Sequence, residues 1–473
     1  MAMTESLFKR YESLIDDPKA FQRAIAQPLP TCIRVNPLKS PPAAVKDFLA
    51  SQHLTFKPLS WYPNAFRIYN WEKPGLTLPF ATGWYNLQEE IALTAVKILD
   101  PQPGERILDL CAAPGGKTVQ IATRLQGTGI VVANEAQISR LSQLRAMLDR
   151  IGVSNVVMTN YEGSSIPLPN HSFDRVLVDV PCSGEGTLRK GKMTAKQHRL
   201  GYSEKIAMTQ KKLLHRALQL VKPNGIIVYS TCTFAPEENE AVIDAVLRER
   251  GGLESAAIPQ LKGMSGLQQW QGQSFRPDLG QAQRYFPHFN NTGGFFVARI
   301  RRSDSHLEPI GIPHPSLLEW QPQPVADARY RQWFCDRFGI DPDIFSPFSL
   351  WKKGKDKIWL ADLSSQPPSE VAIQTVGIPF MRIGNKPTTC ALQRFGSEIT
   401  GNVIALDDFP AVQRFFRGES QPIDSSVESG FVHVRYHHYE LGCGLYKEGV
   451  LYSQIPKGLR LRILDRAQRV GES

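Results

Sequence analysis

Two cysteines stand where a thiol could do chemistry. Cys182 lies in Asp179-Val180-Pro181-Cys182-Ser183-Gly184, and Cys232 in Ser230-Thr231-Cys232-Thr233. Each follows a short apolar run that reads as a buried strand, Val176-Leu177-Val178 before the first and Ile226-Ile227-Val228-Tyr229 before the second. A third such run, Arg106-Ile107-Leu108-Asp109-Leu110, opens into the glycine turn Cys111-Ala112-Ala113-Pro114-Gly115-Gly116-Lys117-Thr118. The carboxyl ends of parallel strands in an open α/β sheet line one edge, where ligands bind. The three loops are therefore expected to converge on one crevice, an active site. A single buried cysteine is usually inert packing. Cys182 and Cys232, however, precede loop-forming or polar residues, which places them at the rim. Cys32 and Cys111 read as mostly structural, with Cys111 lending backbone to the turn, and Cys335, Cys390 and Cys443 have no supporting context.

Between a strand and a helix, the 111–118 turn offers backbone N–H groups to an anionic or polar ligand. Its end looks like a phosphate-binding P-loop, but that motif needs a glycine where Cys111 stands, so the P-loop reading fails. Gly-x-G-x-x-G is absent as well. Glu135, at the end of the next strand, suits a ribose held through its two hydroxyls. The bland alternative is a solvated strand end.

The chain has 473 residues, which suggests two or three domains, and its 42% apolar content is enough for globular cores. A net charge of +10 is the balance expected of a polyanion-binding protein, although ordinary solubility charge gives the same sign. The seven cysteines are scattered without a Cys-x-x-Cys pair, so neither a zinc site nor a disulfide framework is indicated. With no apolar run of membrane-spanning length and no apolar signal core at the start, a cytoplasmic protein with reduced thiols is expected.

Around these residues the elements fall into place. Leu7, Tyr11, Leu14 and Ile15 lie at helical spacing. A strand at Cys32–Asn36 and a helix from Ala43 to Ser51 follow, giving a small α/β N-terminal domain over residues 1–80. From Gln88, helices and strands alternate strictly. The helices are Glu89–Leu99, Val119–Leu125, Ile138–Ile151, one through Met208–Val221, and Glu237–Glu249. The strands are at Ile107, Gly129–Asn134, Asn155–Thr159, Arg175–Asp179 and Gly225–Ser230. Long crossovers imply right-handed βαβ units and a doubly wound, mostly parallel α/β sheet over residues 81–302. A hairpin, Arg284–His288 and Gly294–Ile300, should close one edge antiparallel. Residues 303–325, with Pro309, Pro313, Pro315, Pro322 and Pro324, read as linker. In 326–473, strand candidates at Lys357–Leu360, Gly430–Tyr436 and Leu459–Ile463 point to a small β-rich domain, well separated from the catalytic unit.

The motifs resemble the Nop/Sun (NSUN) family of SAM-dependent RNA cytosine-5 methyltransferases. The resemblance spans roughly residues 25–302 and rests on Arg34-Val35-Asn36, Gln88-Glu89, the 111–118 turn, Asp179–Gly184, Ser230–Thr233 and Gly294-Phe295-Phe296-Val297-Ala298. It implies a Rossmann-like class I methyltransferase sheet, and Gly377-Ile378-Pro379 and Phe415-Phe416-Arg417-Gly418 look like a PUA-like tail. By resemblance, S-adenosyl-L-methionine is held by Cys111, Ala112, Ala113, Pro114, Gly115, Gly116 and Lys117, with Glu135, Glu162 and Asp179. The family usually has Asp where this chain has Glu162. The resemblance makes Cys232 the nucleophile and Cys182 the cysteine that assists release, with Lys117 and Asp179 facing the target cytosine. No metal is implied. The partner is RNA, rRNA foremost and tRNA as alternative, and the chain is expected to act as a monomer.

Chemistry gives these roles a reason. Carbon 5 of cytosine is a poor nucleophile towards a methyl sulfonium. Thiolate addition at carbon 6 makes the ring enamine-like, so carbon 5 can attack the methyl group. The adduct must then lose its carbon 5 proton and expel the thiol, which a second thiol can assist. Free cysteine has a pKa of about 8.5, so Cys232 needs help to ionise, and Lys117 could supply positive charge. The target nucleotide must be unpaired or flipped.

DNA cytosine-5 methyltransferases use a Pro-Cys nucleophile, which would nominate Cys182, together with Glu-Asn-Val. Here Glu238-Asn239 is followed by Glu240 and lies beyond Thr231-Cys232, so that reading is weak, and the second cysteine favours RNA. An inactive RNA-binding or assembly factor is the alternative from another class, and two rim thiols argue against it. Arg189-Lys190-Gly191-Lys192 borders the proposed site and suits phosphate contact. Arg299, Arg301 and Arg302 form a second basic cluster. Arg435-Tyr436-His437-His438-Tyr439 mixes basic and aromatic groups suited to single-strand stacking or to a β core.

Overall fold

The computed structural model describes residues 9–191, 201–247, 250–303, 321–326 and 328–460. The N-terminal strands are β1 (Thr31–Val35), β2 (Thr55–Leu59), β3 (Tyr62–Tyr69) and β4 (Tyr85–Leu87), forming one sheet in the order β2-β3-β1-β4. Helix Pro42–Ser51 covers it through Val45 and Leu49. Because β4 pairs with β1, this sheet continues past residue 80. Tyr11 and Ile15 are buried against Phe21, Phe234 and Phe286, while Leu7 lies outside the described residues.

The central strands are β5 (Arg106–Asp109), β6 (Ile130–Asn134), β7 (Val156–Thr159), β8 (Phe173–Asp179) and β9 (Val221–Thr231). They pair in parallel in the order β7-β6-β5-β8-β9. Every residue of β6 and β7 is buried, as expected of parallel strands covered on both faces. One face packs on Leu213, Leu214 and Val242 from helices Tyr202–Leu220 and Glu240–Leu247. The other packs on Val96, Val119 and Leu148 from helices Leu93–Leu99, Gly116–Arg124 and Ile138–Ile151. Strand order reverses at β5, so the crevice opens at the carboxyl ends of β5 and β8. The architecture is a doubly wound α/β sheet.

Phe295–Arg302 runs antiparallel to β9 and pairs with Gln283–Tyr285, the hairpin anticipated from the sequence. Helix Gly116–Arg124 begins before Val119 because Gly115, at φ 109°, turns the chain into it directly. The helix expected from Glu89 begins at Leu93, and residues 248–249 of the one expected to Glu249 lie outside the described set.

The C-terminal region is β-rich, with two five-stranded sheets among the described residues. Its expected separation from the catalytic unit does not hold. Ile373–Val376 pairs antiparallel with β7 and extends the central sheet to ten strands. Ile373, Val376, Trp351 and Trp359 share a core with Val157 and Val132. A short, distant edge strand carries no local signal for its partner. Leu459 ends a 3-10 turn, Lys457–Leu459, instead of opening a strand, and residues 461–463 lie outside the described set. So do residues 304–320 of the expected linker, which include Pro309, Pro313 and Pro315.

Candidate active site

Parallel pairing of β8 with β9 sets Asp179 beside Ser230, so the loops that follow carry Cys182 and Cys232 to one point. Their sulfurs are 3.2 Å apart. The Cys232 carbonyl accepts from Gly186 N at 2.8 Å, locking the two loops together. Only glycine fits there, because a Cβ on Gly186 would lie 2.3 Å from the Gly294 carbonyl oxygen. Lys117, in the first turn of the helix after β5, donates to Asp179 Oδ2 at 2.7 Å, and Ser230 Oγ donates to Asp179 Oδ1 at 2.7 Å. The Lys117 ammonium also lies over the Phe295 ring, 5.5 Å from its centre.

The two thiols are electrostatically unequal. A hydrogen bond from Cys182, assisted by the charges of Lys117 and Lys190, lowers the Cys232 pKa against burial and Asp179. Donating that bond, with burial, pushes the Cys182 thiol well up. Burial disfavours the Lys117 cation, but the charge and hydrogen bond of Asp179 outweigh it and raise its pKa. The arrangement favours ionisation of Cys232 over Cys182, with a fixed cation nearby.

Beside these groups lies a cavity of about 740 Å³. One wall is Asp109, Cys111, Ala112, Ala113, Pro114, Gly116, Lys117 and Asp179, and the facing wall includes Pro28–Cys32, Gln88, Glu89 and Lys190. Gly115 serves the turn differently. Its Cβ would fall 2.9 Å from Leu144 Cδ1, so it lets the turn pack on helix Ile138–Ile151 and does not line the cavity. Glu135 is buried at the end of β6, where Oε2 accepts from Ala113 N at 3.3 Å and Oε1 from Gln137 N at 2.9 Å. Arg140 pairs with it at 3.4 Å. Glu162 is exposed, with Ser164 Oγ at 3.5 Å.

These residues fit S-adenosyl-L-methionine. Burial first, then the negative charges of Asp109, Glu135, Asp179 and Glu162, push the Cys111 thiol well up, so four carboxylates surround the turn. Such a ring suits a sulfonium cation and ribose hydroxyls. Asp109 was not singled out from the sequence, although its place at a strand end before the turn was the available signal. It is 1% exposed, accepts from Thr118 Oγ1 at 2.7 Å through one oxygen, and has no protein partner on the other. Burial raises its pKa to about 7.

The two basic clusters are placed differently. Arg189 is committed to the carbonyls of Gln27, Pro28 and Thr292 and to Asn291 Oδ1, so it ties loops together. Arg189 and Lys190 both line the cavity, as expected of a cluster bordering the site, and Lys192 lies outside the described residues. Arg299 and Arg301 both pair with Glu254, and Arg302 donates to the Val221 carbonyl. Of the aromatic–basic tail, Tyr439 and His438 pack on Trp84, with ring centres 4.6 and 5.1 Å away. No group of three or more His, Cys, Asp or Glu side chains able to hold a metal occurs among the described residues.

The chain is similar to known proteins. Residues 96–301 match the family model for 16S rRNA methyltransferase RsmB/F. Residues 3–90 match the N-terminal domain, and 402–461 the PUA domain, of methyltransferase RsmF. A "Ribosomal RNA small subunit methyltransferase F" from Aeromonas salmonicida is 30% identical over 93% of this chain and 92% of its own length. The "25S rRNA (cytosine-C(5))-methyltransferase nop2" of Schizosaccharomyces pombe is 32% identical over 66% of this chain, which spans 52%, about half, of that relative. A methyltransferase homologue from Pyrococcus horikoshii superposes with a TM-score of 0.53 at 32% identity, covering 60% of this chain and 90% of that one. With likeness to the small-subunit enzymes running nearly end to end, the chain belongs to the 16S rRNA methyltransferase RsmB/F family.

Proposed function

We propose that this chain methylates carbon 5 of a cytosine in small-subunit rRNA, using S-adenosyl-L-methionine. The observation that carries this reading is the Cys182–Cys232 pair, 3.2 Å apart beside the Lys117–Asp179 ion pair. Cys232, as thiolate, adds to carbon 6 of a flipped cytosine, and the displaced electron pair makes carbon 5 nucleophilic. The bound cofactor supplies the methyl group. Cys182 then assists loss of the carbon 5 proton, and the carbon 6–sulfur bond breaks to return the Cys232 thiolate. Asp109, the 111–117 turn, Glu135, Glu162 and Asp179 hold the cofactor. Lys117 adds to the Cys182 hydrogen bond in favouring the Cys232 thiolate and, with Asp179, faces the base.

Likeness to a small-subunit rRNA enzyme over 93% of the chain, including the residues after 302, favours rRNA over tRNA. We read the protein as a cytoplasmic monomer acting on RNA. None of the described helices is long and apolar enough to cross a membrane. The test is methyl incorporation from labelled S-adenosyl-L-methionine, followed by bisulfite sequencing of total RNA from a deletion strain. One small-subunit cytosine should lose protection. Loss in tRNA alone would move the assignment.

A further inference from the structure

Cys182 and Cys232 sit on separate loops, yet one short run, Pro236-Glu237-Glu238-Asn239-Glu240, is bonded to both. Glu238 Oε2 accepts from Ser183 N at 2.9 Å and from Gln210 Nε2 at 3.0 Å. The same Gln210 nitrogen donates to the Pro181 carbonyl at 2.9 Å. The residues before and after Cys182 are thus held by one carboxylate–amide pair. Asn239 brackets Cys232 in the same way. Its Oδ1 accepts from Thr231 Oγ1 at 2.7 Å, and its Nδ2 donates to the Thr233 carbonyl at 3.1 Å.

Gln210, Glu238 and Asn239 are each 0% exposed, and none lines the cavity beside the thiols. Fully buried, unlike the partly exposed Cys182 and Cys232, they act through the loops they hold. Burying these polar groups is unfavourable unless they are hydrogen-bonded. The bonds given above go to the residues flanking the two cysteines, and Glu238 also bonds to Ser203.

We infer that Glu238, with Gln210, positions Cys182 for the release half of the reaction, whereas Asn239 positions Cys232 for the attack half. Neighbouring residues thereby govern opposite steps. The inference rests on the proposed covalent mechanism. In the attack half, the Cys232 sulfur bonds to carbon 6 and carbon 5 takes the methyl group. Cys182 then gives its proton to solvent and, as thiolate, takes the proton from carbon 5. The freed electron pair restores the carbon 5–carbon 6 double bond, and Cys232 leaves as thiolate. The resting thiol–thiolate pair is regenerated, with one proton released overall.

The experiment compares full-length Glu238→Ala, Glu238→Gln, Gln210→Leu, Asn239→Ala and Cys182→Ala proteins, each checked by thermal melting. The probe is small ribosomal subunits from a strain lacking the gene. Misplacing a reacting group by about 1 Å can cost about a hundredfold in rate. Glu238→Ala and Gln210→Leu should complete a first methyl transfer, lose multiple turnover by about that factor, and leave a slow-migrating protein–RNA band on denaturing gels. Glu238→Gln should clear the band, since one amide oxygen can accept both bonds. Asn239→Ala should slow the first transfer without a band. Absence of a band in Cys182→Ala removes the release role of Cys182 and the inference with it. A band in Cys182→Ala, but none in folded Glu238→Ala or Gln210→Leu, overturns the inference while leaving the mechanism. If Glu238→Ala does not fold, Gln210→Leu decides alone. A band persisting in Glu238→Gln overturns positioning in favour of charge.

Discussion

Lys117 and Asp179 meet at 2.7 Å, although one comes from the helix after β5 and the other from the end of β8. Adjacent parallel strands make that meeting possible, and it fixes a cation where Cys232 can feel it. Removing the cation leaves the Cys232 thiolate less favoured. Lys117→Met should therefore raise the pH at which Cys232 becomes reactive. Iodoacetamide alkylation followed across pH in Cys182→Ala protein, with and without Lys117→Met, isolates the effect. An unchanged profile would show that Lys117 does not ionise the nucleophile.

Asp109 gives a pH signature of its own. Its folded-state pKa, about 7, lies above the ordinary carboxylate value, so its neutral form is favoured in the folded protein. Stability from that preference is fully present below about pH 4 and is lost as pH rises through 7. Asp109→Asn should therefore melt higher than wild type at pH 8, by a margin that shrinks towards pH 4. It should also bind S-adenosyl-L-methionine more weakly. Equal melting temperatures at both pH values would contradict this.

Gly116 offers the direct test of the cofactor turn. A Cβ there would stand 3.5 Å from Gln88 Cδ, an ordinary contact, so a larger side chain enters the cavity without breaking the backbone. Gly116→Trp should lose cofactor binding by calorimetry while melting near wild type. Retained affinity would take the turn out of the site.

A chain ending at Arg302 keeps every proposed catalytic residue but loses Ile373–Val376 from the edge of β7. It also exposes apolar partners of Val157. The expected outcome is a lower melting temperature and aggregation, measured by thermal melt and light scattering. A truncated protein as stable as the full chain would show that this strand does not support the sheet.

The proposed site residues stand out in the sequence because each follows an apolar run, and strand ends in parallel sheets gather at one edge. The 111–118 turn, Glu135, Cys182 and Cys232 all carry that local mark. What was not legible depends on partners distant in sequence. Nothing around Ile373 announces pairing with Met158 and Thr159. Arg299 and Arg301 read as a basic surface, yet Glu254 pairs with both. Gln210 and Asn239 look like ordinary helix-face polar residues until the fold sets them against the cysteine loops.

The central claim, that Cys232 attacks and Cys182 releases, is tested most directly by trapping the adduct. Cys182→Ala, incubated with small ribosomal subunits from a deletion strain and labelled S-adenosyl-L-methionine, should methylate once and stay bound through a thioether at carbon 6. A slow-migrating, labelled band should appear on denaturing gels and vanish in the Cys182→Ala, Cys232→Ala double variant. Full turnover by Cys232→Ala, or no band from folded Cys182→Ala beside active wild type, would contradict the account.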